Sequence, residues 1–440
     1  MAKAKKGKLT LEDVLVPVKE QPYGIPGNWC WTSLSSVAEW GAGGTPSRKN
    51  SDYYEGNIPW IKTGELDDGY IFDSEEKITE DAVAHSSAKL FPVGSVLVAM
   101  YGATIGKTAI LGIPATTNQA CASARCNDTL DNKYLFYYLR SQKDSFIAKG
   151  KGGAQPNISQ DIIKSHPIPL PPLAEQERIV EQIENLFAKL DEAKEKAQMV
   201  IDGYETRNAS VYNEAFSGKL TAKWREDNKK ENCWEVKRFD EVAYIKSNLV
   251  SPADYLDYPH IAPDNIEKRT GILFDYHTIA EDGVTSGKHR FYAGQILYSK
   301  IRPYLSKVVM VDFDGLCSAD MYPIEAKENA KFLLYYMLSD AFLEQASSAG
   351  SRSVLPKINQ KELSAIKVPV TTVDEQAEVV RVLDNVLPMM QQTRDKALQV
   401  VESIEVMKKS ILARAFRGEL GTNNPKDESA IELLKGVLNS

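Results

Sequence analysis

Between Ala174 and Phe216, apolar residues fall at Ile179, Ile183, Leu186, Leu190, Ala193, Ala197, Val200, Tyr204 and Val211. The early steps alternate four and three, which is a heptad seam rather than the broad stripe of a surface helix. The pattern predicts one helix from Ala174 to Phe216, spanning roughly 60 Å at 1.5 Å per residue. Two hundred positions on, the seam returns at Val379, Leu383, Val386, Met390, Thr393, Ala397, Val400, Ile404 and Ile411. The ends match too. Glu175-Gln176 recurs as Glu375-Gln376, and Ala215-Phe216-x-Gly218-x-Leu220 as Ala415-Phe416-x-Gly418-x-Leu420. One helix can carry a seam by chance, but two matched ends at one offset indicate duplication.

Outside these helices the period shortens. Val93–Tyr101 and Lys107–Leu111 read as strands, and Asp131–Ser141 reads as a short helix. The prolines of His166–Pro172 hold their predecessors extended, giving a stiff entry to the first long helix. The second half repeats this framework. Phe91-x-x-Gly94-x-x-Leu97 becomes Phe291-x-x-Gly294-x-x-Leu297, and Pro156-x-Ile158-x-Gln160 becomes Pro356-x-Ile358-x-Gln360. Between the framework positions, residues 40–90 and 245–290 show no alignment.

The expected organisation is an N-terminal segment 1–27, a globular domain 28–172, a helical region 173–217, a second globular domain 218–373, a second helical region 374–420 and a tail 421–440 with a short helix. Gly7-Lys-Leu-Thr10 echoes Gly218-Lys-Leu-Thr221, so the leader resembles the segment after a long helix. Two antiparallel helices with a globular domain at each end close such a repeat. Pro388 predicts a kink or break near Asn385–Leu387, because an interior proline costs about 3 kcal/mol. Thr372-x-x-Glu375 fits a capping box.

Composition changes this picture little. A 440-residue chain with 43% hydrophobic and 26% charged residues fits a soluble globular protein of two or three domains. No apolar run spans a membrane, and no secretory signal opens the chain, so a cytoplasmic location is expected. The five cysteines, with no C-x-x-C, read as reduced thiols rather than metal ligands. The net charge of −7 hides a local bias. Residues 285–307 carry Lys288, Arg290, Lys300, Arg302 and Lys307 and no acid, whereas the first long helix is acidic.

Candidate chemistry points away from catalysis. Gly102-Ala-Thr-Ile-Gly106-Lys107-Thr108 has three residues between its glycines where a P-loop needs four, so it reads as a tight turn between strands. The equivalent stretch, Ile301–Val308, has no glycine. Both turns could approach a nucleic-acid backbone, through Gly102, Thr104 and Lys107 or through Arg302, Tyr304 and Lys307. Arginine suits guanine edges and phosphate, which adds Lys300, Lys288 and Arg290. Thr45, Ser47, Arg48, Lys49, Lys62, Gln119 and Lys151 complete the candidate set. The pairs Tyr137-Tyr138 and Tyr335-Tyr336 lie on amphipathic helices and read as core.

Together the duplicated plan, Gly43-Gly-Thr-Pro-Ser47 followed by Asn57-Ile-Pro-Trp60-Ile-Lys-Thr-Gly64, Leu297-Tyr-Ser-Lys-Ile-Arg-Pro-Tyr304, and the matched helix ends resemble the specificity (S) subunits of type I restriction-modification systems. The resemblance covers almost the whole chain. It implies an α+β fold. Two target recognition domains would each read half of a bipartite DNA target, joined by an intramolecular antiparallel coiled coil with a pseudo-twofold repeat. It also implies two methyltransferase (M) subunits that use S-adenosylmethionine. Restriction (R) subunits would use ATP and magnesium, and this chain would hold no cofactor, no metal and no catalytic residue. The competing expectations are a coiled-coil scaffold without DNA specificity and a P-loop or methyltransferase-type enzyme.

Overall fold

The computed structural model describes residues 10–150, 156–349 and 356–439. Lys151 and most of the Gly7–Thr10 echo fall outside them. The chain divides into two compact units, Met1–Lys196 with Val400–Ser440, and Ala197–Gln399.

In the first unit the larger sheet runs in the order Ala38–Ala42, Cys121–Cys126, Val96–Ala99, Thr108–Leu111, Tyr70–Ile71. In the second the order is Ala243–Ile245, Met321–Ala326, Ile296–Ser299, Val308–Met310. The registers coincide at the 200-residue offset: Val96 lies beside Ala124 and Ile110, Ile296 beside Ile324 and Met310. The proline-rich entries form strands, Pro167–Leu170 on Cys30–Ser33 and Lys367–Val370 on Glu235–Arg238. Proline is tolerated there because each pairing has only two strands. The helix Asn132–Ser141 starts where Asp131 accepts the Tyr134 amide. Its Tyr134 and Tyr138 pack edge-on against Phe416. In the second unit Phe216 packs edge-on against Phe332 and Tyr336. Tyr138 and Tyr336 are buried, whereas Tyr137 and Tyr335 are half-buried.

A second sheet, three-stranded in the first unit and five-stranded in the second, draws strands from the stretches that showed no alignment. Trp60 and Ile61 pair in parallel with Thr116 and Thr117, and His260 and Ile261 pair with Leu316 and Cys317. The offset is again 200 residues, so the framework continues through residues 59–61 and 259–261. Strands this short, closed by a parallel partner some 55 positions away, leave no periodicity to read.

The long helices correct several expectations. The first is not single: it runs Leu173–Asp202 and Tyr204–Phe216, parted at Gly203. The second runs unbroken from Val373 to Ala415 with Pro388 inside. Pro388 is exposed, so the carbonyl it leaves unpaired need not be buried, and packing at Leu383 and Ala397 holds the helix on either side. Ile179 and Ile183 are buried in the first unit's core and Val379 and Leu383 in the second's, Ile404 is buried, and Val386 is half-buried. Val400 is 41% exposed, and Val401 takes the inward place between Ala397 and Ile404. Phe187 is buried where Leu186 and Leu190 are half-buried, and Val200 is half-buried. A straight helix drifts about 20° per heptad from a strict 3.5 repeat, which moves the inward position by one residue.

Within the first unit, Lys194 pairs with Glu405 at 3.6 Å and Asp191 with Lys408 at 2.5 Å. Partner numbers fall as helix numbers rise, so these segments pass antiparallel. In the second unit the Tyr204 hydroxyl donates to Gln391 at 2.7 Å, under the Arg394 guanidinium. The tail helix Ala430–Asn439 packs into the first unit's core through Ala430 and Leu434. No helix among the described residues is long and apolar enough to cross a membrane.

Candidate nucleic-acid interface

Each unit carries the same turn after its central strand. Gly102 donates its amide to Pro156 O at 2.8 Å, and Arg302 donates to Pro356 O at 2.8 Å. Both positions are left-handed, with φ of 64° at Gly102 and 50° at Arg302. Gly106 at 76° is matched by Ser306 at 44°. Glycine takes this conformation freely, whereas an L side chain costs roughly 1–2 kcal/mol. Arg302 is exposed. Tyr304, 49% exposed, stands beside it.

The other candidates divide by what already holds them. Arg48 pairs with Glu76 at 2.6 Å, and Lys62 pairs with Glu75 at 3.0 Å and Glu76 at 3.2 Å. Glu76 holds both cations at once, and their contacts, Arg48 first, keep its carboxyl below the usual range. Arg48 also stands over Tyr54 and Trp60, 4.1 and 5.1 Å from the ring centroids. Thr45 donates to Gln119, and both are exposed. Ser47 and Lys49 are exposed on the same loop. Thr104 turns back to Tyr101 O at 2.8 Å, and Lys107 is half-buried.

In the second unit Lys307 donates to Pro263 O at 2.7 Å, and Lys300 donates to Ala319 O. Lys288 is withdrawn from the surface, which corrects its place among the candidates. It is 6% exposed, its ammonium is held by Ser286 at 2.7 Å, and burial lowers its pKa. Arg290 stands 5.3 Å from the Tyr255 ring centroid and 4.8 Å from that of Tyr292. Of these aromatic partners, Tyr54, Trp60 and Tyr255 come from other strands and loops, whereas Tyr292 is two residues from Arg290.

The Glu-Gln marker at each helix start is a buried polar node. Glu175 accepts from Trp29 Nε1 at 2.8 Å and from Asn423 at 2.8 Å. Glu375 accepts from Trp234 Nε1 at 2.8 Å, Thr221 at 2.5 Å, Thr371 at 2.8 Å and Arg225. The expected capping box is therefore half formed. Thr372 accepts the Glu375 amide at 3.4 Å, but the carboxylate serves the node instead. Gln176 donates to Thr129 O at 2.9 Å and Pro171 O at 3.0 Å, while Gln376 donates to Glu328 at 2.6 Å and Thr371 O at 2.8 Å. Each node pins a helix start to its globular domain and to the segment that follows a long helix.

The two nodes respond oppositely to pH. Burial raises the Glu175 carboxyl, and hydrogen bonds from Trp29 and Asn423 offset this only in part. Burial also acts on Glu375, but its hydrogen bonds, including that of Arg225, outweigh it and the pKa falls. A depressed carboxylate gives stability above its unfolded pKa, lost as pH falls through the folded value. A raised one gives stability at low pH, lost as pH rises through its folded value. Acidification below about pH 4.5, the ordinary glutamate value, is expected to loosen the Trp234 environment before that of Trp29. Hydrogen exchange across the two nodes checks this, and loss of protection in the reverse order would refute it.

Comparison with known proteins then decides the family. The family described as "Type I restriction modification DNA specificity domain" matches twice, at residues 26–200 and 231–402. The chain belongs to the type I restriction-modification DNA specificity family. It is 40% identical over 313 residues to the type I restriction enzyme EcoDI specificity subunit of Escherichia coli, covering 66% of this chain and 70% of that one. It is 21% identical over 425 residues to the EcoKI specificity subunit of Escherichia coli K12, covering 90% of each. The crystal structure of an HsdS subunit from Thermoanaerobacter tengcongensis shares the fold, with a TM-score of 0.65 at 18% identity over 92% of this chain and all of that one. This specificity subunit thus carries two target recognition domains in a mixed α/β fold with long helices. Among the described residues no cluster of His, Cys, Asp or Glu is arranged to hold a metal ion.

Proposed function

We propose that this specificity subunit reads a bipartite duplex DNA target, one half-site per recognition domain, and does no chemistry itself. The observation that carries the reading is the duplicated domain match on two units whose turns occupy equivalent places. Residues 28–172 and 218–373 would be the recognition domains. The helical regions 173–217 and 374–420 would form an antiparallel coiled coil relating the halves by a pseudo-twofold axis and setting the spacer. The acidic outer face of the first helix would receive methyltransferase subunits carrying S-adenosylmethionine, with restriction subunits supplying ATP and magnesium chemistry in the cytoplasm. Within the domains, Arg302, Tyr304, Gly102, Thr104, Lys107 and Lys151 would meet the DNA backbone. Thr45, Ser47, Arg48, Lys49, Lys62 and Gln119 would form the first domain's reading face, and Lys300, Lys307 and Arg290 would serve the second.

The test is selection of DNA from a random library by the chain assembled with its methyltransferase partner. A two-part consensus with a fixed gap supports the reading, and no sequence preference would favour the scaffold. Binding of ATP or S-adenosylmethionine by the isolated chain would favour the enzyme. Arg302→Gly sharpens the test. It should raise stability by about 1 kcal/mol through relief of the left-handed backbone. In the assembled complex it should flatten the salt dependence of DNA binding by about one phosphate contact. Unchanged DNA affinity would remove Arg302 from the interface.

A further inference from the structure

We propose that Arg290 reads a guanine in the half-site of the second recognition domain, from an aromatic platform at the five-stranded sheet that runs Leu249–Val250, Lys288–Phe291, Gly315–Cys317, Pro259–Ile261, His277–Thr278. This rests on the DNA-reading role above and assigns that role a base and a residue.

The placement follows from register. Arg290 lies beside Leu316, Leu316 beside His260, and His260 beside His277. Side-by-side residues share a face, and neighbours along a strand point oppositely. His289, Cys317, Ile261 and Phe291 therefore take the other face, where Ile261, Phe291 and Cys317 are fully buried in a separate core cluster. The row bearing Arg290 is turned from that core; Leu316 and His260 within it are also buried, whereas Arg290 is half-buried and His277 exposed.

The guanidinium is held but not neutralised. Tyr255 and Tyr292 flank it, and its Nη1 reaches the Tyr255 hydroxyl at 3.4 Å. Among the described residues no carboxylate pairs with it; its Nε is buried without a hydrogen-bond partner. The same row holds a second polar atom without a partner, His260 Nε2, while His260 Nδ1 is fixed by Asp282 at 2.7 Å.

The equivalent row in the first domain shows the contrast. Trp60 stands where His260 does, beside Glu76, and Glu76 neutralises the arginine that rests on Trp60 and Tyr54. One domain thus presents an arginine–glutamate pair and the other an arginine held by aromatic rings with no carboxylate partner. An unpaired, pre-oriented guanidinium matches the two acceptors of guanine, O6 and N7, in the major groove. Lysine keeps the charge but cannot reproduce the fork. Phosphate contact and base reading are separable on that ground.

The experiment uses the chain assembled with its methyltransferase partner on wild-type consensus DNA and on single-base variants. Arg290→Lys and Arg290→Gln should lose discrimination at one guanine by roughly 5- to 100-fold, with the other half-site unchanged. The proposal is overturned if Arg290→Lys keeps full discrimination, whether or not Arg290→Gln weakens every sequence equally as a phosphate contact would. It is also overturned if the second half-site contains no guanine. A wild-type complex without a bipartite preference would instead count against the DNA-reading role itself.

Discussion

Replacing Glu375 with alanine is expected to destabilise the second unit by about 3–5 kcal/mol, the range for removing one partner of a buried ion pair. The carboxylate is 1% exposed and receives four side-chain donors. One of them, Arg225, has a side chain only 12% exposed and would be left charged with two smaller hydrogen bonds, to Thr221 and to Gly218 O. Trp234 Nε1 would lose its acceptor as well. The matched change Glu175→Ala is expected to cost less, about 1–3 kcal/mol, because Trp29 and Asn423 are neutral donors. Glu375→Gln keeps the shape and isolates the charge. Urea unfolding of the full chain, followed at the tryptophans, compares the three variants. Equal losses for Glu175→Ala and Glu375→Ala would show that Arg225 adds nothing to the second node.

These nodes also show what the sequence could and could not disclose. Glu-Gln was visible as a repeated marker, because identity at a fixed offset survives divergence. Its burial was not, since the donors come from Trp29 and the tail in one unit and from Trp234 and Thr221 in the other. The strands around Val96 and Ile296 were legible as short apolar runs after the matched Gly94 and Gly294, and all four residues of each are buried. The seam was legible only to within one residue, because Phe187 and Val401 compete with Leu186 and Val400 for the inward place. The break was misplaced for an energetic reason. Proline's local cost at 388 is absorbed by helix packing, while Gly203, which adds no side chain to the packing, lets the first helix part. In the candidate site, Arg302 was legible as a charged turn residue. Its strained backbone became visible only in the structure, and so did the difference between the neutralised Arg48 and the open Arg290.

Exchanging residues 28–171 for the corresponding domain of another family member is expected to change one half of the recognised sequence and leave the other half and the gap intact. The contacts that must survive include the packing of Tyr134 and Tyr138 on Phe416 and of the domain core on Ile179, Ile183 and Phe187. Trp29 must still reach Glu175, and the segment at Thr129–Asp131 must still meet Gln176, whose carbonyl accepts the Asp131 amide at 2.8 Å. The helical regions and the Glu375 node are untouched by the exchange. Each altered base pair typically costs about 1–3 kcal/mol, so three lost contacts would shift preference between old and new half-sites by on the order of a thousandfold or more. Mapping methylated sites made by the assembled hybrid measures this directly. A change in both halves would mean that the domains do not read independently. A changed gap with an intact second half would mean that residues 28–171, and not the helices alone, set the spacing.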